Sequence, residues 1–418
     1  MKRVIGAATA LALMLPGAAI AQDTIKVGIL VATEGAFAAG GADGIRNVEL
    51  ALKQVGNMAG GKKIETVIAN TDTTPATATR MARKLIEQDK VDIIIGPLSG
   101  SEGIAMRDYS KTIPDKTVIN GISGALETTW VDPSPNFFRF NLDGSQWGTG
   151  LGKYVVEKKG WKRVAAVSAD YSFGYTNFLG FAVDFCKAGG ELVERLWVPL
   201  GSGDYAGVIA KLPDNVDAIY LGVGGTDAIN FLNQYQQAGG KAKLIGGSIM
   251  ADSTVLNSKG KAKDALIGTP TSGWVANDNP APEWKAYVKA YEDAFPADKR
   301  LPSPSLFGVG YHVNTLAMIA ALNEVKGDLS DGQKKFHAAL SKLKVKTPLG
   351  EVSLNENRQA TGSVFVTEVS ANADGTLSNK MVARTDNVNQ TLGMTADAFR
   401  KMGLPSRTTP DCKALGGK

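Results

Sequence analysis

Residues Ile93 to Ala105 read IIIGPLSGSEGIA, and how this stretch is read decides the fold. The run Val91 to Gly96 (VDIIIG) is short, β-branched and closed by Gly-Pro, which predicts a buried strand. A small, hydroxyl-bearing loop follows and leads into a helical segment. A loop entering a helix after a buried strand leaves backbone N–H groups open, which suits an anion. A phosphate loop would need Lys followed by Ser or Thr, and a dinucleotide loop would need G-x-G-x-x-G. Neither pattern is present here. A plain strand-to-helix turn with no ligand also fits the stretch taken alone.

Outward from this stretch the same grammar repeats. Strand signals at 24–33, 62–74 and 116–125 alternate with helical periodicity at 44–56, 76–88 and about 102–112. Nearly all-apolar strands separated by helices predict a parallel sheet covered on both faces. The pattern restarts after PNFFRFNLDG (135–144). A helix over 150–160 is followed by strands at 161–174, 216–225 and 243–250, with helices between them. Helical stretches return at 283–295 and 308–324. Residues 348–369 read as a hairpin around Asn355-Glu356-Asn357, and a Gly/Ser/Asp-rich turn follows at 370–378. The fold class is therefore α/β, with two Rossmann-like lobes. In such sheets ligands bind beyond the carboxyl ends of the strands. The loops of interest are 33–40, 98–103, 123–127, 170–174, 223–228 and 248–252.

The N-terminus reads as a secretory signal. MKR is followed by an apolar run ending Ala19-Ile20-Ala21, so cleavage is expected after Ala21 and residues 1–21 are leader. No later segment has the unbroken apolar length to span a bilayer. The net charge of +5 falls to +3 when Lys2 and Arg3 leave, and no basic run suits nucleic acid. His312 and His337 are too isolated for a metal centre, and no cofactor motif is present. The loops hold Ser, Thr, Gly and aromatics without a nucleophile beside a base. A Ser-His-Asp hydrolase would need His312 to reach Ser99 or Ser123 from a distant helix, and there is no G-x-S-x-G elbow. An exported, non-catalytic, two-lobed chain reads as a binding module. Cys186 and Cys412 can pair in an oxidising compartment. Cys186 would otherwise be a buried thiol, but Cys412 lies in a polar tail that packing explains poorly.

Taken in order, KVGILVATEG, the polar loop after IANTD, IIGPLSG, INGISGA, VSADYSFG and IYLGVGG resemble the leucine/isoleucine/valine-binding group of type I periplasmic solute-binding proteins from ABC importers. The resemblance spans about Ile25 to Gly375. It implies two lobes joined by three crossings that close on a solute, delivery to a membrane permease, and a monomer. The corresponding division is 22–143 with 273–345 for the first lobe, 144–272 with 346–395 for the second, and a tail at 396–418.

The resemblance also carries site residues. The family's carboxylate-binding serine falls on Gly100, flanked by Ser99 and Ser101. A backbone contact falls near Ser123, and a threonine position falls on Gly124, beside Ala125. The ammonium-binding glutamate position falls on Ser248, near Met250. Two tyrosine positions fall on Gly224, followed by Gly225 and Thr226, and on Gly40. Donors for a carboxylate survive, but the anion for an ammonium does not, unless Asp227 or Asp252 supplies it. Burying an unpaired ammonium is costly. The glycines suggest room for a larger or flatter solute, with Phe37, Tyr171, Phe173 and Trp274 available to line it. An aromatic or other amine-free acid is the favoured solute. A branched-chain or other apolar amino acid, a polar amide-like solute, and a ligand-sensing receptor without transport are the alternatives.

Overall fold

A computed structural model describes residues 24–417. The leader reading at 1–21 lies outside the described residues. Among them, no helix is long and apolar enough to cross a membrane, and no group of His, Cys, Asp and Glu is placed to hold a metal.

The first lobe is built on a six-stranded sheet. Its centre is Thr24–Ala32, which pairs in parallel with Lys62–Thr71 on one side and Ile93–Ile95 on the other. Thr117–Ile119 and Phe137–Phe138 continue the parallel order outward. The chain first goes to one side of the central strand and then to the other. The loops after Thr24–Ala32 and Ile93–Ile95 therefore flank a topological switch point, where a crevice opens.

The second lobe repeats this arrangement. Arg163–Ala169 pairs in parallel with Glu191–Val198 on one side and Ala218–Gly222 on the other. Lys243–Gly246 and Pro270–Gly273 extend the sheet. Its switch point lies between the loops that follow Ala169 and Gly222. The long strand Ala360–Ala371 ties the lobes together. Its first residues pair with Gly350–Leu354, its middle with Pro270–Gly273, and its outer side with Leu377–Val388. The pair Lys344–Thr347 and Gly350–Leu354 packs through Val345, Leu349 and Val352 into the core that also holds the first-lobe helices.

The helix Ala38–Lys53 begins six residues before the apolar period suggests. Its first turns are AAGGADG, which carry little hydrophobic signal but allow close packing. A Cβ at Gly41 would lie 1.6 Å from the Ala32 carbonyl oxygen. The helix Leu306–Glu324 lies across it. Asp43 fixes their contact by accepting from the Ser305 N–H (2.9 Å), the Ser305 hydroxyl (2.6 Å) and the Tyr291 hydroxyl (2.5 Å). Where the chain crosses between lobes, Arg139 is fully buried. It donates to the Ala125 carbonyl (2.7 Å) and the Thr129 hydroxyl (2.6 Å) and faces Asp143 at 3.6 Å.

Cys186 and Cys412 form a disulfide, with Cα atoms 5.1 Å apart. Beside it, Arg195 donates to the Pro410 carbonyl (2.6 Å), and Arg407 pairs with Asp170. The tail thus packs on the second lobe and reaches the loop that carries Tyr171, and through Phe399 and Arg400 it also lies against Trp130 of the first lobe.

Candidate functional site

The two switch points face each other. Between them lies a narrow cavity, lined by Phe37, Leu98, Ser99, Gly100, Ile122, Gly124, Trp147, Tyr171, Phe173, Ile249, Leu306 and Phe307. Most of these residues follow the carboxyl ends of strands from both sheets. The walls are close: Phe37 stands 5.6 Å from Phe307, and Trp147 stands edge-on to Phe173 at 5.6 Å between ring centres. A ring can enter only if the lobes part or the aromatic walls turn. No Asp, Glu, Lys, Arg or His lines this cavity among the described residues. A larger open groove, lined by Lys159, Lys241, Lys243 and Lys261, lies at the amino ends of the second-lobe strands, away from the cleft.

Ser99 caps the helix Gly100–Ser110. Its hydroxyl donates to the Thr73 carbonyl (3.0 Å) and accepts from the Glu102 N–H (3.4 Å). The Glu102 carboxylate accepts in return from the Ser99 N–H (2.9 Å), which completes a capping box. Burial pushes the Glu102 carboxyl above its ordinary range, while hydrogen bonding with Ser99 pulls the other way. The first helical N–H groups, at Gly100 and Ser101, have no intrahelical acceptor, and Gly100 lines the cleft. Ser101 meets Ser172 of the second lobe, hydroxyl to hydroxyl, at 3.1 Å.

Tyr171 and Phe173 start the helix Ser172–Lys187, and Gly224 and Gly225 start the helix Gly225–Gln237. Neither helix has a side-chain cap. Burial, with the charges of Asp227 and Glu102, raises the Tyr171 phenol, which stays protonated. Gly225 adopts φ +56°, and a Cβ on it would lie 1.9 Å from the Ala36 carbonyl oxygen of the other lobe. Together with Ser101–Ser172, this contact shows the cleft closed.

The remaining expected residues are placed as follows. Ser123 does not reach the cavity: its hydroxyl donates to Asn120 (2.7 Å) behind the helix at Gly103. Ala125 is buried, and its carbonyl serves Arg139. Thr226 is exposed. Met250 packs in the second-lobe core, and Trp274 is buried in the core shared with the first lobe. Ser248 lines a separate cavity described below.

The room expected at the glycines is filled. A Cβ at Gly40 would meet Phe307 at 2.6 Å, one at Gly124 would meet Phe173 at 2.9 Å, and one at Gly224 would meet Ile249 at 2.7 Å. Large apolar side chains from other segments occupy the volume that the glycines release.

Neither aspartate lines this cavity. Asp227 accepts from the Gly201 N–H (2.7 Å). Asp252 accepts from the Thr254 N–H (2.9 Å) and hydroxyl (2.7 Å) and, across the cleft, from the Leu306 N–H (2.7 Å). Burial raises both carboxyls.

Sequence reasoning missed Leu98, Ile122, Trp147, Ile249, Leu306 and Phe307 as wall residues. Two of them had a local signal. Ser305 caps the helix that Leu306 begins, and Asp143 with Gln146 forms a capping box before Trp147.

A family model described as "Periplasmic binding protein" matches residues 24–376. The chain is 26% identical over 391 residues to Leu/Ile/Val-binding protein homolog 6 of Brucella melitensis, covering 91% of this chain and 96% of the relative. It is 27% identical to the Leu/Ile/Val-binding protein of Citrobacter freundii, over 85% of this chain and 93% of the relative. Among solved structures it is similar to a solute-binding protein of an ABC transporter from Rhodopseudomonas palustris BisB5 in complex with 3,4-dihydroxybenzoic acid. That match has a TM-score of 0.79 and 28% identity, covering 88% of this chain and 98% of the other.

Proposed function

This chain belongs to the periplasmic binding protein family as a solute-binding protein of the ABC-transporter type, and from that premise we propose that its solute is an aromatic carboxylate. The family's role is capture for delivery to a membrane permease, and the family's setting is the periplasm. Our reading adds that the leader is removed after Ala21, that the protein works as a monomer, and that it performs no catalysis.

One observation carries the ligand class. The cavity between the lobes has aromatic and aliphatic walls, no charged side chain, and helix N-termini at its edge. Helix N-termini favour negative charge through their free N–H groups and dipoles. Nothing in the lining balances an ammonium, and unpaired burial of that cation is costly. A flat acid brings only the charge the backbone can meet, with apolar surface for the rings to cover. On this reading Gly100 and Ser101 offer their N–H groups to the carboxylate, while Phe37, Tyr171, Phe173, Trp147 and Phe307 enclose the ring. Solute contacts made by both lobes then favour the closed form.

Calorimetry with benzoate, 4-hydroxycinnamate, leucine and phenylalanine tests this. An aromatic acid should outbind leucine under the same conditions. Tight leucine binding with no heat from either aromatic acid would overturn the reading.

A further inference from the structure

A second cavity adjoins the first, and its chemistry is opposite. It is small, and Leu306 belongs to the walls of both. The first chamber is almost wholly apolar. The second is lined chiefly by hydroxyl, amide and carboxylate side chains, among them Ser248, Asp252, Ser272 and Asn379. Ser248 is 7% exposed and Ser272 2% exposed. Their hydroxyls, and the Asn379 Oδ1, are buried without a hydrogen-bond partner. Buried polar atoms are nearly always paired, because an unpaired one keeps its desolvation cost without recompense. Three such atoms around one space mark it as built for a polar group.

Resting on the aromatic-acid reading, we propose that this chamber is a specificity subsite for a hydroxyl at the far end of the ring from the carboxylate. The unpaired atoms define the class. The two serines can each donate and accept, whereas Asn379 Oδ1 only accepts. The group that satisfies them must donate at least one proton, which a phenolic hydroxyl does. A methyl ether has no proton for Asn379. A second carboxylate would face Asn379 Oδ1 and the buried Asp252 together, acceptor against acceptor. An ammonium could also donate, but Asp252 already accepts three hydrogen bonds. Leu306 lines both chambers and separates the apolar one from the polar one.

The test is calorimetry on the mature protein with benzoate, 4-hydroxybenzoate, 4-methoxybenzoate and leucine. Wild type should bind 4-hydroxybenzoate roughly tenfold or more above benzoate, and 4-methoxybenzoate no better than benzoate. Ser248→Ala and Ser272→Ala should remove most of that preference while leaving benzoate affinity within about twofold, which also shows that each variant is folded. If benzoate binds but the hydroxyl adds nothing, or both variants keep the full preference, the subsite is wrong and the aromatic-acid reading stands. If neither acid binds and leucine does, the reading itself fails and takes the subsite with it.

Discussion

In the first lobe, the helices that begin at Gly100 and Leu306 are capped by side chains: Ser99 with Glu102, and Ser305 backed by Asp43. In the second lobe, the helices that begin at Ser172 and Gly225 follow Tyr171 and Gly224, and no side chain caps either one. The sheets behind them share the same switch-point topology. A capped helix end spends part of its N–H potential on the protein itself, while an uncapped one leaves it for something else. At these two helices the first-lobe wall is tied by side-chain caps, although Ala38–Lys53 in the same lobe has none and Asp252 caps Ser253–Leu256 in the other. At Ser172 and Gly225 the second lobe presents uncapped termini, with aromatic rings on loops steadied from elsewhere, in part by the C-terminal tail.

The strongest way to break this comparison is to cut the tail loose. The disulfide spans 226 residues of sequence, and all of its packing partners lie in the second lobe. Losing a native disulfide typically costs about 2–5 kcal/mol. Cys412→Ser, or wild type under reductant, should lower the melting temperature of the second lobe and leave the first-lobe transition in place. Thermal unfolding in a calorimeter checks this. A uniform shift of both lobes would mean that they unfold as one unit, and no shift would mean that the tail steadies nothing.

The second break is at the contact between the walls. Gly225→Ala sets a methyl group against the Ala36 carbonyl at a separation no structure tolerates. Closure should be blocked, with affinity for the true ligand falling roughly a hundredfold, near 3 kcal/mol. Small-angle scattering should show the ligand-bound variant remaining as extended as the empty one. Wild-type affinity together with normal compaction would mean that the 36–37 loop yields.

The lobes were legible in the sequence because buried parallel strands are continuous apolar runs, as in VDIIIG and VDAIYLG. Strands Glu191–Val198 and Leu377–Val388 went unread because they lie at or near sheet edges and are largely half-exposed or exposed, so they carry no such run. The ligand end of each lobe was legible for the same topological reason. Half of the cavity wall was not. Phe307 and Ile249 take up volume released by Gly40 and Gly224, and a side chain arriving from another segment leaves no mark near the glycine it replaces. Likewise, Ser123 looked like a ligand donor. Only the fold shows its hydroxyl committed to Asn120, so Ser123→Ala should cost stability rather than affinity.

Acid sharpens the contrast. Both histidines lie in the first lobe. His312 is buried against Asn47 and Tyr287, and burial lowers it to about 4, while burial also lowers His337. A group with a depressed folded pKa stabilises fully above its unfolded value, here 6.5, and that contribution is lost as pH falls toward 4. For His312 the loss at pH 5 is about 2 kcal/mol. In the second lobe, burial raises Asp184 and Asp227, whose contribution is present at low pH and lost as pH rises through their folded values. Glu102 and Glu127, both raised by burial in the first lobe, offset part of the histidine effect. Between pH 7 and 5 the first-lobe transition should therefore fall relative to the second. His312→Gln should flatten that dependence, and an unchanged pH profile in the variant would remove His312 as its cause.

The smallest effect belongs to Ser101, and it separates side chain from backbone at the anion end. The Ser101 hydroxyl meets Ser172 across the cleft, so its removal loses one exchangeable hydrogen bond of the closed form, worth about 1 kcal/mol. The Ser101 N–H, with that of Gly100, is untouched by the change to alanine. If backbone donors at the helix start hold the carboxylate, Ser101→Ala should weaken binding only about fivefold, and Ser172→Ala by the same amount. The double variant should lose little more than either single one, because each removes the same contact. If Ser101→Ala instead weakens binding a hundredfold while Ser172→Ala does not, the hydroxyl touches the solute directly. The first wall would then hold its ligand with a side chain after all, and the contrast with the second lobe would narrow to the aromatic rings.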